Sequence, residues 1–421
     1  RTVHTGLLEY KNVYRPARVI SYDKESGELV LHNYMDFDDL KDYVKISYEL
    51  TQDGLVISKG KLPEVSAAPH SEGKINLKIN VPESGKCYLK FIYHLKKELP
   101  LLDEDHILGF DEIEVSQKDA KCQLAEKWVE KTVTDSELQV SEDDTQIHIK
   151  GREFAYTIDR RTALFTEMKF AGREYLNHPM ELNIWRAPTD NDMYIKSEWK
   201  KAHYDKAYTR AYTTEVVQGK HGVKITSHAS VVAETVQKIL DVTITWKIEA
   251  AGKIDADIAV TKDDEFPDLP RFGVRMFLDK KLSAARYFGM GPQESYCDKH
   301  QAASHGLYHA NVDDLHEDYI RPQENGSHYD CEYVELNNSR YGIVASAEKA
   351  FSFNASYYTQ EELEKKTHNY ELTESDSVVF CVDYALNGIG SNSCGPVVLD
   401  QYRFDDVLFR FQFTLIPYVK G

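Results

Sequence analysis

Residues 185–192 (Trp-Arg-Ala-Pro-Thr-Asp-Asn-Asp) concentrate charged and amide side chains in one short stretch. A proline interrupts the preceding extended segment, and three Asx residues, Asp190, Asn191 and Asp192, follow it. Their oxygen atoms could bind sugar hydroxyls at the rim of a site, or a hard cation. A structural interpretation competes with both and is the one we favour: Asx side chains rigidify turns, and Arg186 could pair with one of the aspartates.

Two further segments contain the tripeptide Pro-Gln-Glu, at residues 292–294 and 322–324. A carboxylate beside an amide can hold sugar hydroxyls, and a glutamate with a raised pKa can exchange protons with a substrate. The Gly and Pro neighbours of Glu294 and Glu324 nevertheless indicate turn geometry first. We therefore favour a structural role, in which both glutamates satisfy buried backbone or arginine groups inside the fold.

A fourth segment, residues 388–396 (Gly-Ile-Gly-Ser-Asn-Ser-Cys-Gly-Pro), is rich in small polar groups. Asn392 and Ser393 could form hydrogen bonds with a sugar. Cys394 could be a nucleophile in principle, but no His or Asp partner lies at a recognisable motif spacing. Signatures of nucleotide-binding enzymes, zinc proteases, serine hydrolases and EF-hands are missing from the sequence, which argues against those classes.

Short strands connect these segments along the chain. About seven strands at regular spacing in residues 1–116 predict an immunoglobulin-like β-sandwich. The mostly polar residues 117–137 are interpreted as a linker. Residues 138–421 again show strand after strand without alternating helices, which argues against a parallel α/β fold and favours a large sandwich of antiparallel sheets. The predicted fold class is therefore all-β.

Two short helices are predicted as decorations of loops. One covers residues 360–366, with Thr359 as its N-cap, acidic residues in the first turn and lysines in the last. The other covers residues 199–207. Neither changes the all-β prediction.

Composition limits the partners and the location. The formal net charge of −18 repels nucleic-acid phosphates and anionic lipid, so neither nucleic acid nor a membrane is an expected partner. No apolar run is long enough to predict a membrane helix. The six cysteines are scattered without zinc spacing, so no metal site is expected. This scatter favours free thiols in a reducing compartment, and the cytoplasm is the expected location.

The motif segments, in this order and at these spacings, resemble the C-terminal third of family 2 β-galactosidases. They are Arg-Ala-Pro-Thr-Asp-Asn-Asp at 186–192, Leu-Pro-Arg-Phe-Gly at 269–273, Gly-Met-Gly-Pro-Gln-Glu at 289–294, Pro-Gln-Glu-Asn-Gly at 322–326 and Gly-Ser-Asn-Ser-Cys-Gly-Pro at 390–396. By this resemblance, residues 1–116 correspond to the second immunoglobulin-like domain, which follows the catalytic barrel. Residues 138–421 correspond to the final β-sandwich, a supersandwich similar in fold to galactose mutarotases.

The resemblance implies retaining hydrolysis of terminal non-reducing β-D-galactosides, which needs two carboxylates about 5 Å apart. In this family both carboxylates, the magnesium ligands and most sodium ligands lie on a (β/α)₈ barrel of about 250 residues. No such alternation of strands and helices is predicted in this chain. We therefore expect no catalytic residue, metal or cofactor here, and no activity from the chain alone. The implied partners are β-galactoside sugars and the missing N-terminal barrel part, in a parent enzyme that is a homo-oligomer.

The resemblance also implies a role at the rim of the sugar pocket. The residues expected at this rim are Asp190, Asn191, Asp192, Asn392, Ser393 and Cys394. In some members of the family an aromatic residue at the position of Cys394 stacks on the sugar. Because this chain has cysteine there, that stacking platform is missing or is supplied elsewhere.

Two alternatives from other classes remain open. A free-standing carbohydrate-binding module would need an exposed aromatic platform, for which Trp185 and Trp199 are the candidates. An aldose-epimerase-like protein would need an acid/base pair in a cleft, such as Glu324 with a nearby histidine. Sugar binding by the isolated chain would favour the first alternative, and faster galactose mutarotation would favour the second.

Overall fold

The computed structural model describes residues 3–129, 138–235, 237–390, 393 and 395–420. The chain divides into two compact units. The first comprises Arg1–Glu126, Phe288–Gln293 and His300–Tyr308, and the second comprises Lys127–Tyr287, Glu294–Lys299 and His309–Gly421.

The first unit contains seven strands and two short helices from the N-terminal part of the chain. In chain order they are α1 (Thr5–Val13), β1 (Ala17–Tyr22), β2 (Glu28–Asn33), α2 (Leu40–Tyr43), β3 (Val44–Gln52), β4 (Leu55–Lys61), β5 (Glu72–Asn76), β6 (Cys87–Leu95) and β7 (Ile107–Glu114). They form two antiparallel sheets, with strand orders β1-β2-β5 and β4-β3-β6-β7. The number of strands agrees with the prediction of about seven, and β4 follows the turn at Asp53 and Gly54, both at positive φ.

The two sheets of the first unit pack face to face because alternate residues of their strands are apolar. Leu29 and Leu31 of β2 belong to the same buried cluster as Leu89, Phe91 and Tyr93 of β6. Along β6 buried residues alternate with half-buried ones, as a strand with one covered face requires. The first unit is therefore a β-sandwich, and its immunoglobulin-like topology stays a prediction.

The predicted linker is partly helical. Residues 123–129 form α3 (Gln123–Val129), and residues 130–137 lie outside the described part of the chain.

The second unit contains most of the remaining strands. In chain order the elements are β8 (Gln139–Glu142), β9 (Gln146–Lys150), β10 (Phe154–Asp159), β11 (Leu164–Phe170), β12 (Arg173–Glu174), β13 (Leu176–Asn183), α4 (Ile195–Lys201), β14 (Tyr208–Gln218), β15 (Gly222–Val232), β16 (Leu240–Glu249), β17 (Ile254–Lys262), β18 (Arg271–Asp279), β19 (Ala284–Gly291), β20 (Ser304–Asn311), β21 (Ser327–Asn337), β22 (Tyr341–Ser356), α5 (Gln360–Lys365), β23 (Ser377–Leu386) and β24 (Leu408–Val419). The hairpin of β19 and β20 runs through residues of both units.

Two sheets make up the second unit. One has the order β12-β11-β10-β9-β8, and the main path of the larger sheet is β13-β18-β23-β22-β24-β17-β16-β15-β14. Trp246 of β16 is fully buried between them, with its ring 4.9 Å from Phe165 of β11 and 6.4 Å from Phe413 of β24. Its indole N–H donates to the carbonyl of Ala163 at 2.8 Å, so the large aromatic fills the core without an unpaired polar atom.

The all-β prediction is confirmed, because the described strand pairs are antiparallel and the helices are short. The helix predicted over 360–366 is present as α5, and the Thr359 hydroxyl accepts from the backbone N–H of Glu362. The helix predicted over 199–207 is displaced, because α4 begins at Ile195 and a separate 3₁₀ turn covers Tyr204–Lys206.

Candidate functional site

The loop after β13 is fixed by a buried ion pair. Arg186 is fully buried, and its guanidinium binds the Asp192 carboxylate through two hydrogen bonds, of 3.1 Å from Nε and 2.6 Å from Nη2. The same carboxylate accepts from the backbone N–H of Thr189 at 2.8 Å and so begins the 3₁₀ turn Asp190–Asp192. The favoured sequence interpretation, a tight loop in which Arg186 pairs with an aspartate, describes this geometry.

Arg186 also ties this loop to the one that follows β23. Its Nη1 and Nη2 donate to the carbonyl oxygens of Asn387 and Gly388. Beside it, the Asn191 amide donates to the carbonyl of Ile389 at 2.5 Å. From the other side the Asp298 carboxylate accepts from the backbone N–H groups of Ile389 and Gly390 at 3.0 and 2.8 Å. Two of the sequence segments are therefore held together.

A third segment joins the same group. The backbone of Glu324 donates to the carbonyl of Ala187 at 2.9 Å, and the Glu324 carboxylate accepts from the N–H of Ala187 at 3.1 Å. The Gln323 side chain accepts from the backbone N–H of Asp190 and donates to its carboxylate. We call the loops at 186–192, 322–326 and 387–390 the loop cluster.

One buried arginine next to the loop cluster forms hydrogen bonds with two carboxylates. Arg271 donates to Glu324 at 2.8 Å and to Asp383 at 3.2 and 2.5 Å, and the three residues are no more than 2% exposed. Burial raises the pKa of Asp383 to about 6, against the attraction of Arg271, and the nearby Glu324 adds to the rise. Glu324 thus accepts a hydrogen bond from a buried arginine, as the favoured sequence interpretation expected.

Glu294 has its own buried partners. Its carboxylate accepts from the Lys299 ammonium at 2.5 Å, from the Tyr319 hydroxyl, and from the backbone N–H of Gly326 at 2.8 Å. Burial alone would raise the pKa of Glu294, but these donors, led by Lys299, outweigh it and hold the pKa below its ordinary value. An ionised, fully bonded glutamate of this kind is suited to holding loops rather than to transferring protons.

The predicted rim residues differ in their access to solvent. Asp190 is exposed, Asn191 is half-buried, and Asp192 is buried with its carboxylate committed to Arg186 and Thr189. Ser393 is exposed, and Asn392 and Cys394 lie outside the described residues. A cavity of about 230 Å³ lies beside this edge, and Asn191, Asp268 and Arg403 contribute to its walls.

The aromatic platform required of a carbohydrate-binding module is not formed by its two candidates. Trp185 and Trp199 are 3% and 0% exposed and pack edge to face, with ring centroids 6.3 Å apart. The Trp199 indole donates to the carbonyl of Asp268 at 2.8 Å. The epimerase alternative also loses its acid/base candidate, since Glu324 is buried against Arg271. Neither alternative is favoured.

Two residues of this region were not singled out from the sequence. Asp383 lies in the apolar strand β23, and a carboxylate in such a strand signals a buried partner, because an unpaired buried charge is costly. Asp298 follows the Gly-Met-Gly-Pro-Gln-Glu segment closely in sequence, but nothing local reveals that it binds the backbone of Ile389 and Gly390.

Three further observations concern possible metal ligands, the cysteines and the length of the helices. Within the described residues no group of three or more His, Cys, Asp or Glu side chains could hold a metal ion. The cysteines that the structure describes, Cys87, Cys122, Cys297, Cys331 and Cys381, carry free thiols. No helix in the described ranges combines the length and apolarity needed to cross a membrane.

Comparison with known proteins matches both parts of the chain. Residues 150–415 match the family model described as beta galactosidase small chain, and residues 29–116 match the model described as beta-galactosidase, domain 4. A beta-galactosidase of Actinobacillus pleuropneumoniae is 43% identical over 418 residues, which are 99% of this chain and 40% of that protein. A beta-galactosidase of Staphylococcus xylosus is 30% identical over 99% of this chain and 41% of that protein.

The chain thus spans about two fifths of the length of these curated relatives. A galactose 1-epimerase structure from Lactobacillus acidophilus matches 69% of this chain and 100% of its own length, at 8% identity and a TM-score of only 0.37. The small-chain model covers more than half of the residues, and the motifs of the loop cluster lie within its match. This chain therefore belongs to the beta galactosidase small chain family.

Proposed function

We propose that this chain is the C-terminal part of a family 2 β-galactosidase, which hydrolyses terminal non-reducing β-D-galactosides with retention of configuration. In this proposal the chain supports and caps an active site whose catalytic carboxylates lie on a barrel outside these residues. The observation that carries the proposal is the 43% identity to a protein named beta-galactosidase, over nearly all of this chain but only 40% of that protein.

The buried carboxylates support a positioning role for the chain. Retaining hydrolysis requires two carboxylates about 5 Å apart that face the sugar. Glu294, Glu324 and Asp383 are 4%, 2% and 0% exposed, and each is bound by a cationic side chain. A sugar would have to displace Arg271 or Lys299 to reach them, and a buried charge left without its partner is strongly destabilising.

The exposed edge of the loop cluster is the part that would meet the sugar pocket. Asp190 and Asn191 present a carboxylate and an amide there, and we assign Asp192 the task of holding this loop through Arg186. Ser393, and with it Asn392 and Cys394, would complete the rim. Exposed apolar side chains beside these loops support a protein contact at the same edge. They are Met193 at 45%, Tyr194 at 60%, Val397 at 70% and Leu399 at 62% exposure.

A complementation assay tests the proposal. A chromogenic β-galactoside is offered to this chain, to the separately produced remainder of the enzyme, and to the mixture, with heat-unfolded chain as the control. We expect hydrolysis from the mixture of native parts alone, together with their co-elution in size-exclusion chromatography. Hydrolysis by this chain on its own would place a catalytic pair within these residues and contradict the proposal.

A further inference from the structure

The second unit contains a pocket of about 980 Å³ that the proposed function does not use. Its walls come from the ends of β19, β21 and β24, from the turn between β16 and β17, and from α3. This volume lies at the upper end of the range of small-molecule sites, about 300–1,000 Å³. The pocket therefore has room for a mono- or disaccharide.

The pocket and the loop cluster lie at opposite ends of β21. Gln323 and Glu324 of the loop cluster precede this strand, whereas Glu335 and Asn337 near its end line the pocket. The eleven residues of β21 lie between the two regions along the chain, and no residue of the loop cluster lines the pocket. A ligand in this pocket would not contact the loop cluster.

A buried carboxylate and a phenol form one wall of the pocket. Glu335 is 5% exposed, and the Tyr418 hydroxyl donates a hydrogen bond to it. Burial and this hydrogen bond raise the pKa of Tyr418, so the phenol stays protonated and the carboxylate accepts. Within the described residues, Tyr418 is the donor to this carboxylate, which leaves acceptor capacity for a ligand hydroxyl.

A second polar group, Arg286, faces the same pocket. Its Nε is buried and has no hydrogen-bond partner in the described part of the chain. An unpaired buried donor costs about 1–3 kcal/mol, so a ligand oxygen that reached it would be bound favourably. Arg286 and Tyr418 both line this pocket.

Aromatic rings complete the lining. Trp128 of α3 packs against Tyr418 with ring centroids 4.9 Å apart and lines the pocket with it. The C–H face of a pyranose is apolar and packs on such rings. Its hydroxyl groups form hydrogen bonds with polar side chains. His309, Asn311 and Asn337 add further groups of this kind.

The charges at the pocket favour a neutral ligand. Lys253 lines the pocket but pairs with Glu249 at 2.7 Å and with Asp255 at 3.5 Å. The other charged lining residues are two cations, Arg286 and Lys420, and two carboxylates, Glu335 and Asp314, so no excess of positive charge would select an anion. We propose that this pocket binds a neutral mono- or disaccharide, held by Glu335 and Arg286 and stacked on Trp128 or Tyr418.

Intrinsic fluorescence reports on this pocket. Of the four tryptophans in the chain, Trp128 is half-buried at the pocket, whereas Trp185, Trp199 and Trp246 are at most 3% exposed. Titration of the full chain with galactose, glucose and lactose should give a saturable change in emission at millimolar concentrations for at least one of them. Trp128→Phe should abolish the change, and isothermal calorimetry provides a readout that does not depend on tryptophan.

Matched variants locate the binding. Glu335→Gln and Arg286→Gln should each weaken binding at least about tenfold, because each removes a charge-assisted hydrogen bond. Glu215→Gln, the same substitution at an exposed position of β14, should leave the affinity unchanged. Circular dichroism checks the fold of each variant, and Arg286→Gln keeps the test open if Glu335→Gln does not fold.

Two outcomes would overturn the inference. One is the absence of saturable binding of all three sugars into the high millimolar range, by both fluorescence and calorimetry. The other is tighter binding of galacturonate than of galactose, which would make the pocket an anion site. Binding is measured on this chain alone, so either result is independent of the complementation assay.

Discussion

Arg271 and Asp383 form a two-point ion pair in which neither side chain has any exposure to solvent. A second carboxylate, Glu324, binds the same guanidinium at 2.8 Å. One positive charge therefore pairs with two buried carboxylates. Burial outweighs the attraction of Arg271 and raises the pKa of Asp383, and the nearby Glu324 adds to the rise. Since Glu324 also bonds the backbone of Ala187, this group supports the loop cluster directly above it.

The unfolding free energy of the second unit should depend on pH because Asp383 titrates. Its pKa in the folded state is about 6, against an ordinary value of 3.8, so its stabilising contribution is fully present below about pH 4 and is lost as the pH rises through 6. The loss amounts to about 3 kcal/mol, since one pKa unit is about 1.4 kcal/mol.

Urea unfolding at several pH values measures this effect. Asp383→Asn lacks the titrating group, so the wild-type unfolding free energy minus that of the variant should fall by about 2 kcal/mol between pH 4 and pH 6.5, which is most of the full loss. A difference that stays constant over this window would show that Asp383 titrates at its ordinary pH.

Replacement of the two aspartates of the loop at 186–192 should lower the unfolding free energy by very different amounts. Asp192→Ala leaves Arg186 buried without its carboxylate and should cost about 3–5 kcal/mol of unfolding free energy. Asp190→Ala alters an exposed side chain and should cost within about 0.5 kcal/mol. Denaturant titration of both variants checks this, and equal costs would contradict the assignment.

If the rim proposal is right, Asp190→Ala should change the KM of the complemented enzyme for a galactoside although the chain stays stable. Asn191→Ala provides the comparison, because Asn191 is bonded to Ile389 and should affect both stability and KM. An unchanged KM in both variants would remove these two residues from the rim.

Much of the fold could be predicted because the strands alternate apolar and polar residues or are bounded by turn residues. The helix α5 was predictable from its cap and charges, which act within a few residues. The displacement of the predicted 199–207 helix has a long-range cause: Trp199 and Tyr204 are buried against the carbonyls of Asp268 and Pro267, and these contacts determine where the helix ends. A local pattern contains no information about such partners.

In the loop cluster, too, the local contacts could be predicted from the sequence and the long-range contacts could not. The sequence indicated that Arg186 pairs with an aspartate six residues away at most, because Asx turns are local. It could not indicate that Arg186 also binds the carbonyls of Asn387 and Gly388, about two hundred residues later, nor which arginine Glu324 would satisfy. Those pairings depend on strand order in the large sheet, which hydrophobic periodicity does not determine.

Glu294 and Lys299 should behave as a coupled buried pair. Glu294→Gln leaves the Lys299 ammonium without its counter-charge, and Lys299→Met leaves the carboxylate unpaired, so each should cost about 3–5 kcal/mol. The double variant should cost clearly less than the sum of the two. The exposed pair Lys238 and Asp241 serves as the control cycle, with an expected coupling below about 1 kcal/mol. Additive costs at Glu294 and Lys299 would contradict their coupling.

Cys297 should be unreactive in the native chain although it is not completely buried. Burial, with a smaller contribution from the neighbouring Asp298, raises the pKa of its thiol to about 12, and the thiolate is the reactive form. Against an ordinary value of 9.0, the thiolate fraction at pH 8 falls roughly a thousandfold. Iodoacetamide labelling at pH 8, followed by peptide mass analysis, should therefore modify Cys297 readily in urea and negligibly in the native chain. Because the Cys297 sulfur lies 3.8 Å from the carbonyl of Leu386 and 3.9 Å from that of Tyr402, equal labelling in both conditions would mean that the loop after β23 opens in solution.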